Sequence, residues 1–258
     1  MTAFKKVLLT MVLTGLGGAV HADIVGGQAH VDSGAVRVGP SDFREQNMAG
    51  IGVDGLLRGR FAPASHFARD RYKNSAGVYQ TSGRRAVQDG APGRGPADHS
   101  KIGVWSFAKV GSQDVWFGEW DAESATGAIG TKTAGTHTTW YVGENGDVAR
   151  TLPTAPVSYT VRSINNYTGA ALPTSTLTAN FTTGTAGSVG DIAFSEGTIR
   201  TVGSDVQLAA LGVNVASSGG MAGTLDGKFF GTGASAVAGL VKFADRTRDT
   251  AFGGSKNP

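Results

Sequence analysis

The sequence predicts an all-β protein in two parts, an irregular β-rich N-terminal domain over residues 23–152 and a small closed antiparallel barrel over 153–258. Three observations carry this. The 258 residues include 40 glycines, with 40% hydrophobic and only 17% charged residues, a texture of short strands and turns with enough apolar side chains to build cores. Runs dense in β-branched and aromatic residues recur with no helical period between them. Leu152-Pro153-Thr154-Ala155-Pro156 places two prolines where neither a helix nor a sheet can continue, and so marks the boundary.

Taken in order, the first element is a leader. Lys5 and Lys6 precede an apolar run from Val7 to Val20, and Val20-His21-Ala22 supplies small or tolerated residues for signal-peptidase cleavage before Asp23. The run is shorter than the roughly 20 apolar residues a membrane-spanning helix needs. The absence of cysteine excludes a disulfide framework, a thiolate metal site and a lipid anchor at the cleavage point. The expected product is exported and soluble. Without Lys5 and Lys6 the basic and acidic residues nearly balance, which removes the case for nucleic-acid binding that the high pI would otherwise make.

From 23 to about 150 the chain reads as irregular. The Gly50-Ile51-Gly52-Val53-Asp54-Gly55 stretch has dinucleotide-loop spacing, but Leu56-Leu57-Arg58-Gly59-Arg60 is a poor helix start, so it reads as a glycine-rich loop. Residues 83–100 read as a long Gly/Pro/charge-rich loop. Strands are expected at 102–107, 114–120 and 136–142. Beyond the prolines, strands follow at 157–164, 176–182, 188–194, 198–202, 221–230 and 238–243, a spacing that suits a barrel because closure removes unpaired edges. Ile24-Val25-Gly26-Gly27 has the look of an activated serine-protease terminus, yet no histidine or serine lies in the context a catalytic triad requires.

The C-terminal hundred residues carry a resemblance. Leu177-Thr178-Ala179-Asn180-Phe181, Gly197-Thr198-Ile199, Gly223-Thr224-Leu225-Asp226-Gly227-Lys228-Phe229-Phe230-Gly231, Ala234-Ser235-Ala236-Val237-Ala238-Gly239 and Ala251-Phe252-Gly253-Gly254 resemble the C-terminal barrel of transferrin-binding-protein-B-like proteins. Upstream, Lys101-Ile102-Gly103-Val104-Trp105, Val115-Trp116-Phe117-Gly118-Glu119-Trp120 and Thr136-His137-Thr138-Thr139-Trp140-Tyr141-Val142-Gly143 resemble the N-terminal clamp domain of hemophilins, secreted haem-binding members without the lipid anchor. The resemblance implies an eight-stranded barrel, non-covalent binding of haem b, export through a Slam-type outer-membrane translocator and delivery of haem to a TonB-dependent outer-membrane receptor. An adhesin-like module that binds a host protein or glycan is the alternative on the same scaffold, since fold does not fix function.

The residues themselves narrow the haem chemistry. Iron in haem takes axial histidine, methionine, cysteinate or tyrosinate, and without cysteine the imidazoles lead. Beyond the leader the histidines are His30, His66, His99 and His137, all upstream of the barrel and at separations that match no compact zinc motif. His137 lies in a strand-like run that puts Thr139 and Tyr141 on its face and Trp140 and Val142 on the other, and it is the expected axial ligand. His66, in the apolar Phe61-Ala62-Pro63-Ala64-Ser65-His66-Phe67 loop, is the expected second ligand, with His99 as its substitute. Arg58 and Arg60, like Arg69 and Arg71, flank that loop and offer planar forks for propionates. His30 is expected to be uninvolved, and the four tryptophans to be core. Imidazole must lose its proton to bind metal, so haem is expected to leave as pH falls. No nucleophile and base pair or metallohydrolase motif accompanies these residues, and an enzyme is not expected.

Overall fold

The computed structural model describes residues 23–32, 34–95, 98–220 and 222–258. The predicted leader and its cleavage point lie outside the described residues. The N-terminal part has β1 (Ile24–Gln28), β2 (Val36–Pro40), β3 (Ala49–Val53), β4 (Ala62–Pro63), β5 (Tyr79–Ser82), a short helix α1 (Gly83–Gln88), β6 (Val104–Lys109), β7 (Val115–Asp121) and β8 (Thr138–Glu144). Five of these strands form one antiparallel sheet in the order β1-β8-β7-β6-β5, and β2-β3-β4 form a second.

The glycine-rich stretch expected as a loop is instead β3, whose Ala49 and Ile51 are buried without exposure. Its glycines serve close approach: a Cβ at Gly50 would meet the backbone of Ser41 within 3 Å. The 83–100 stretch is likewise not all loop. It opens with α1, capped where Ser82 Oγ accepts from the amide of Arg85 at 3.2 Å.

The C-terminal part is a closed antiparallel barrel, as expected. Its strands are β9 (Val157–Ile164), β10 (Thr174–Asn180), β11 (Thr185–Gly190), β12 (Ile192–Val202), β13 (Asp205–Val215), β14 (Ala222–Phe230), β15 (Ala236–Lys242) and β16 (Thr250–Lys256), with β16 pairing back onto β9. The strand expected at 188–194 is divided by a turn at Gly190, which takes φ 118°, and two strands, β13 and β16, were not anticipated. Alternation fills the interior: β10 and β14 both run exposed-buried along most of their length, and Tyr159, Leu177, Leu208, Leu225, Phe229 and Phe252 meet inside. Burial pushes the Tyr159 hydroxyl far above its ordinary range, and its proton goes to the carbonyl of Ala234 at 2.7 Å.

The two parts are packed face to face. β15 is buried over six of its seven residues because the five-stranded sheet covers that wall. Phe117, Val115 and Tyr141 of the sheet join Phe230, Ala238, Leu240 and Ala251 of the barrel in one apolar cluster. Gly253 makes this approach possible, since a Cβ there would collide with the Phe117 ring. Val148, upstream of the prolines, is fully buried in the barrel core.

Candidate functional site

Strand alternation gives the five-stranded sheet two faces, and both are covered. Register places Trp105 opposite Trp120, Phe107 opposite Gly118, and Gly118 opposite Trp140. These residues therefore share one face, with Trp116 and Val142. Over that face lie β2 to β4 and residues 56–67, forming an aromatic core. Phe67 stacks on Trp105 with ring centroids 5.7 Å apart, and Trp105 meets Trp140 edge-on at 5.8 Å. Both Trp105 Nε1 and Trp120 Nε1 donate to the carbonyl of Ile102, at 2.6 and 2.8 Å, which fixes the chain where it enters β6.

A narrow apolar cleft opens at this edge. Ile51, Val53, Ala62 and Phe67 form one wall, Ile102 and Trp105 the other, and the polar groups on its lining are Arg60, Asp98 and His99. His99 sits in a single 3-10 turn (His99–Lys101). Asp98 caps this turn, its carboxylate accepting from the Ser100 amide at 3.1 Å and from the Ser100 hydroxyl at 2.6 Å, bonds that hold the Asp98 carboxyl below the usual carboxylate range. The His99 amide and its ring Nδ1 both face the carbonyl of Pro92, at 2.9 and 3.2 Å. Arg60 is held by the carbonyl and carboxylate of Asp42 and lies over the Phe43 ring, 5.3 Å from its centroid.

The other expected residues fall elsewhere. His137 is on the opposite face, only 3% exposed, with Nδ1 3.3 Å from Asp121 Oδ2 and Nε2 3.2 Å from the carbonyl of Asp249 in the barrel. Both ring nitrogens are engaged in the seam between the two parts. Burial opposes the charged ring, but the bond to Asp121 and the fields of Glu119 and Asp121 outweigh it and raise the His137 pKa. Tyr141 points the same way, packed edge-on against Phe230 of the barrel, with burial pushing its hydroxyl far above its ordinary range. The alternation expected for this strand holds; the cleft lies on the tryptophan side of it. His66 ends the 3-10 turn Ala64–His66, with Nε2 3.4 Å from Glu45 Oε1, and is not among the cleft-lining residues. Arg58 is exposed, at φ 59°. His30, expected to be uninvolved, bonds Asp249 Oδ2 at 2.8 Å.

The sequence reading missed Trp105 and Ile51 as cleft residues. The Phe67 and Trp105 pair could have been found by asking which aromatic faces the His66 loop, but the role of Ile51 depends on β3 lying over the sheet, and no local signal carries that. Among the described residues, no group of three or more His, Cys, Asp or Glu side chains is placed to hold a bare metal ion. The donor set fits haem instead: a slot with aromatic and aliphatic walls, one imidazole on its lining and an arginine fork.

Residues 19–138 match the family model described as the HphA N-terminal heme-binding domain, and residues 150–256 match that of the HphA C-terminal domain. The chain belongs to the HphA, or hemophilin, family. Its first part is that family's haem-binding domain, which agrees with the resemblance in the sequence. Among solved structures, the chain is similar to a mutant transferrin binding protein B from Actinobacillus pleuropneumoniae H49, at 14% identity over 90% of this chain and 99% of that one, TM-score 0.42. It is also similar to the N-lobe of lactoferrin binding protein B from Moraxella bovis, at 12% identity over 85% and 91%, TM-score 0.38. Intact Ap-TbpB, with N and C lobes, matches at 10% identity over 59% of this chain, TM-score 0.41, and the chain spans only 35% of its length. Among the described residues no helix is long and apolar enough to cross a membrane.

Proposed function

We propose that this protein is a secreted haem carrier that takes haem b, without a covalent bond, into the cleft beside Trp105 and passes it to a TonB-dependent outer-membrane receptor after export through a Slam-type translocator. The observation that carries the reading is the cleft itself, an apolar slot on the aromatic face of the sheet with His99 on its lining. Haem is the cargo, and the residues' work is to bind and orient it. The walls Ile51, Val53, Phe67 and Trp105 remove the porphyrin face from water, the largest favourable contribution a flat apolar ligand can draw on. His99, fixed by its turn and by the carbonyl of Pro92, supplies the iron-binding nitrogen. Arg60 offers its fork to a propionate. In this reading His137 belongs to the seam rather than the iron, and His66, paired with Glu45, makes no iron bond. The barrel from 153 onward acts as the support behind the sheet and as the export module, and the protein works as a binding protein rather than an enzyme.

Titrating the purified protein with haemin tests this. The expected result is a Soret band that saturates at one equivalent, accompanied by quenching of tryptophan fluorescence, because Trp105 lines the slot. A titration with neither change removes the haem reading and leaves the adhesin-like module.

A further inference from the structure

The seam between the two parts buries an unusual set of charges, and they converge on two histidines. From the sheet come Glu119 and Asp121 of β7, 0% and 4% exposed, and from the barrel comes Asp249, 0% exposed. Two permanent cations lie in the same seam. Lys132 lies 3.0 Å from both Glu119 Oε1 and Asp121 Oδ2. Arg246, on the barrel's 3-10 turn Arg246–Arg248, reaches across to the carbonyl of His137 at 2.9 Å and to Thr138 Oγ1 at 3.1 Å, and also pairs with the largely exposed Asp32. Arg246 is paired with Asp32, so the three buried carboxylates face one permanent cation, Lys132, and the seam is short of positive charge while the His137 ring is neutral. Glu119 Oε2 shows where this is felt: it is buried with no hydrogen-bond partner among the described residues.

We propose that His137, with His30 bonded beside it, forms a proton-operated clasp in which the His137 ring takes the proton, and that this clasp couples the cleft-bearing domain to the barrel. Both histidines come from the N-terminal part, and both end on the same barrel residue. His30 Nε2 meets the Asp249 carboxylate at 2.8 Å, and His137 Nε2 meets the Asp249 carbonyl at 3.2 Å while its Nδ1 meets Asp121. A protonated ring donates from both nitrogens, so His137 can satisfy Asp121 and the Asp249 carbonyl together only when charged. That proton also offsets part of the seam's negative charge. The neutral ring donates from one nitrogen only and leaves the other facing an acceptor, which in a buried site is costly. Acid in the imidazole range therefore closes the clasp, and alkali loosens it. The raised His137 pKa agrees in sign: its contribution is complete below the ordinary imidazole range and is lost as pH rises through the raised value. Coupling of the two parts thus becomes sensitive to pH where the protein is otherwise fully folded, independently of whether the cleft holds haem.

The amide of Tyr167 is a built-in reporter, because it donates across the seam to Glu119 Oε1 at 2.9 Å. Hydrogen exchange on the full chain, corrected for intrinsic rates, should show its protection being lost as pH rises from below the ordinary imidazole range through the raised His137 value. The amide of Leu208, within the barrel wall, should keep its protection. In the His30→Gln/His137→Gln double variant the fall should vanish, and in His66→Gln it should persist. If the double variant does not fold, an NMR titration of the wild-type chain should place the His137 midpoint above 6.5. Unchanged Tyr167 protection in the wild type, an equal fall in the histidine variants, or a His137 midpoint at or below the ordinary value would overturn the proposal.

Discussion

The two faces of the five-stranded sheet are made by the same strands and do opposite work. On the tryptophan face, Trp105, Phe107, Trp116 and Trp140 build a dry aromatic layer that stops short of closing and leaves a cleft beside Trp105. On the other, Val115, Phe117 and Tyr141 pack against the barrel through Gly253 and share the space with buried Glu119, Asp121 and His137. One face is apolar around its cleft, and the other carries charge where it meets the barrel. The difference shows that a histidine's place in a strand says little until the face it points to is known. Buried charge needs partners, and the domain seam supplies most of them through Lys132, His137 and the Tyr167 amide, which a slot for a planar apolar ligand does not.

Substitutions can separate the faces. The largest effect is expected on the barrel side: Phe117→Ala removes a fully buried ring from the seam and should lower stability by about 3–5 kcal/mol, seen as a reduced denaturation midpoint, while the folded fraction still binds haem at one equivalent. If haem uptake disappears with the ring in place of stability, the two faces are not separable. Gly253→Val, which forces a side chain into Phe117, should cost about 1–3 kcal/mol by the same measurement. A neutral cost there would mean that the two parts do not pack as closely as Phe117 and Gly253 require.

pH acts on the seam from both sides. Burial opposes the Asp121 carboxylate, but His137 and Lys132 outweigh it and hold its pKa below the ordinary value. Its contribution is therefore present above the usual carboxylate range and lost as pH falls through the lowered value, whereas that of His137 is lost as pH rises through its raised value. Thermal stability should peak between the two, and Asp121→Asn should flatten the acid limb. On the cleft side the expected effects are smaller. Arg60→Gln should weaken haem binding by about 0.2–1 kcal/mol, less in high salt, since the guanidinium is exposed. His66→Ala should leave the haem spectrum unchanged, and a changed spectrum would bring that imidazole back to the iron.

Much of the fold was legible because strand chemistry is local. The runs containing Trp105, Trp116 and Trp140, and the alternation in Thr176 to Asn180, state their strands without context, and Phe229-Phe230 with the small residues after it announces the closing hairpin. β13 escaped because Ala209, Ala210 and Gly212 dilute its β-branched signal, and β3 because Gly50 and Gly52 imitate a loop when they are there to let Ser41 and Phe61 approach. The site was legible in its residue types and not in its assembly. His137 and Tyr141 were correctly placed on one face, but the covering of that face by the barrel depends on contacts more than a hundred residues apart, such as His137 with Asp249. His99 was read as the substitute second ligand because its stretch offers no periodicity to place it, and its position on the cleft follows only when β3 and Phe67 close the opposite wall.

The account turns on which imidazole meets iron, and paired haemin titrations of His99→Ala and His137→Gln test it most directly. The prediction is that His99→Ala loses the wild-type Soret and visible bands or binds haem at least about tenfold more weakly, a change of roughly 1.4 kcal/mol, while His137→Gln keeps the wild-type spectrum and loses stability instead. A wild-type spectrum in His99→Ala together with an altered one in folded His137→Gln would contradict it, and would place haem on the charged face of the sheet.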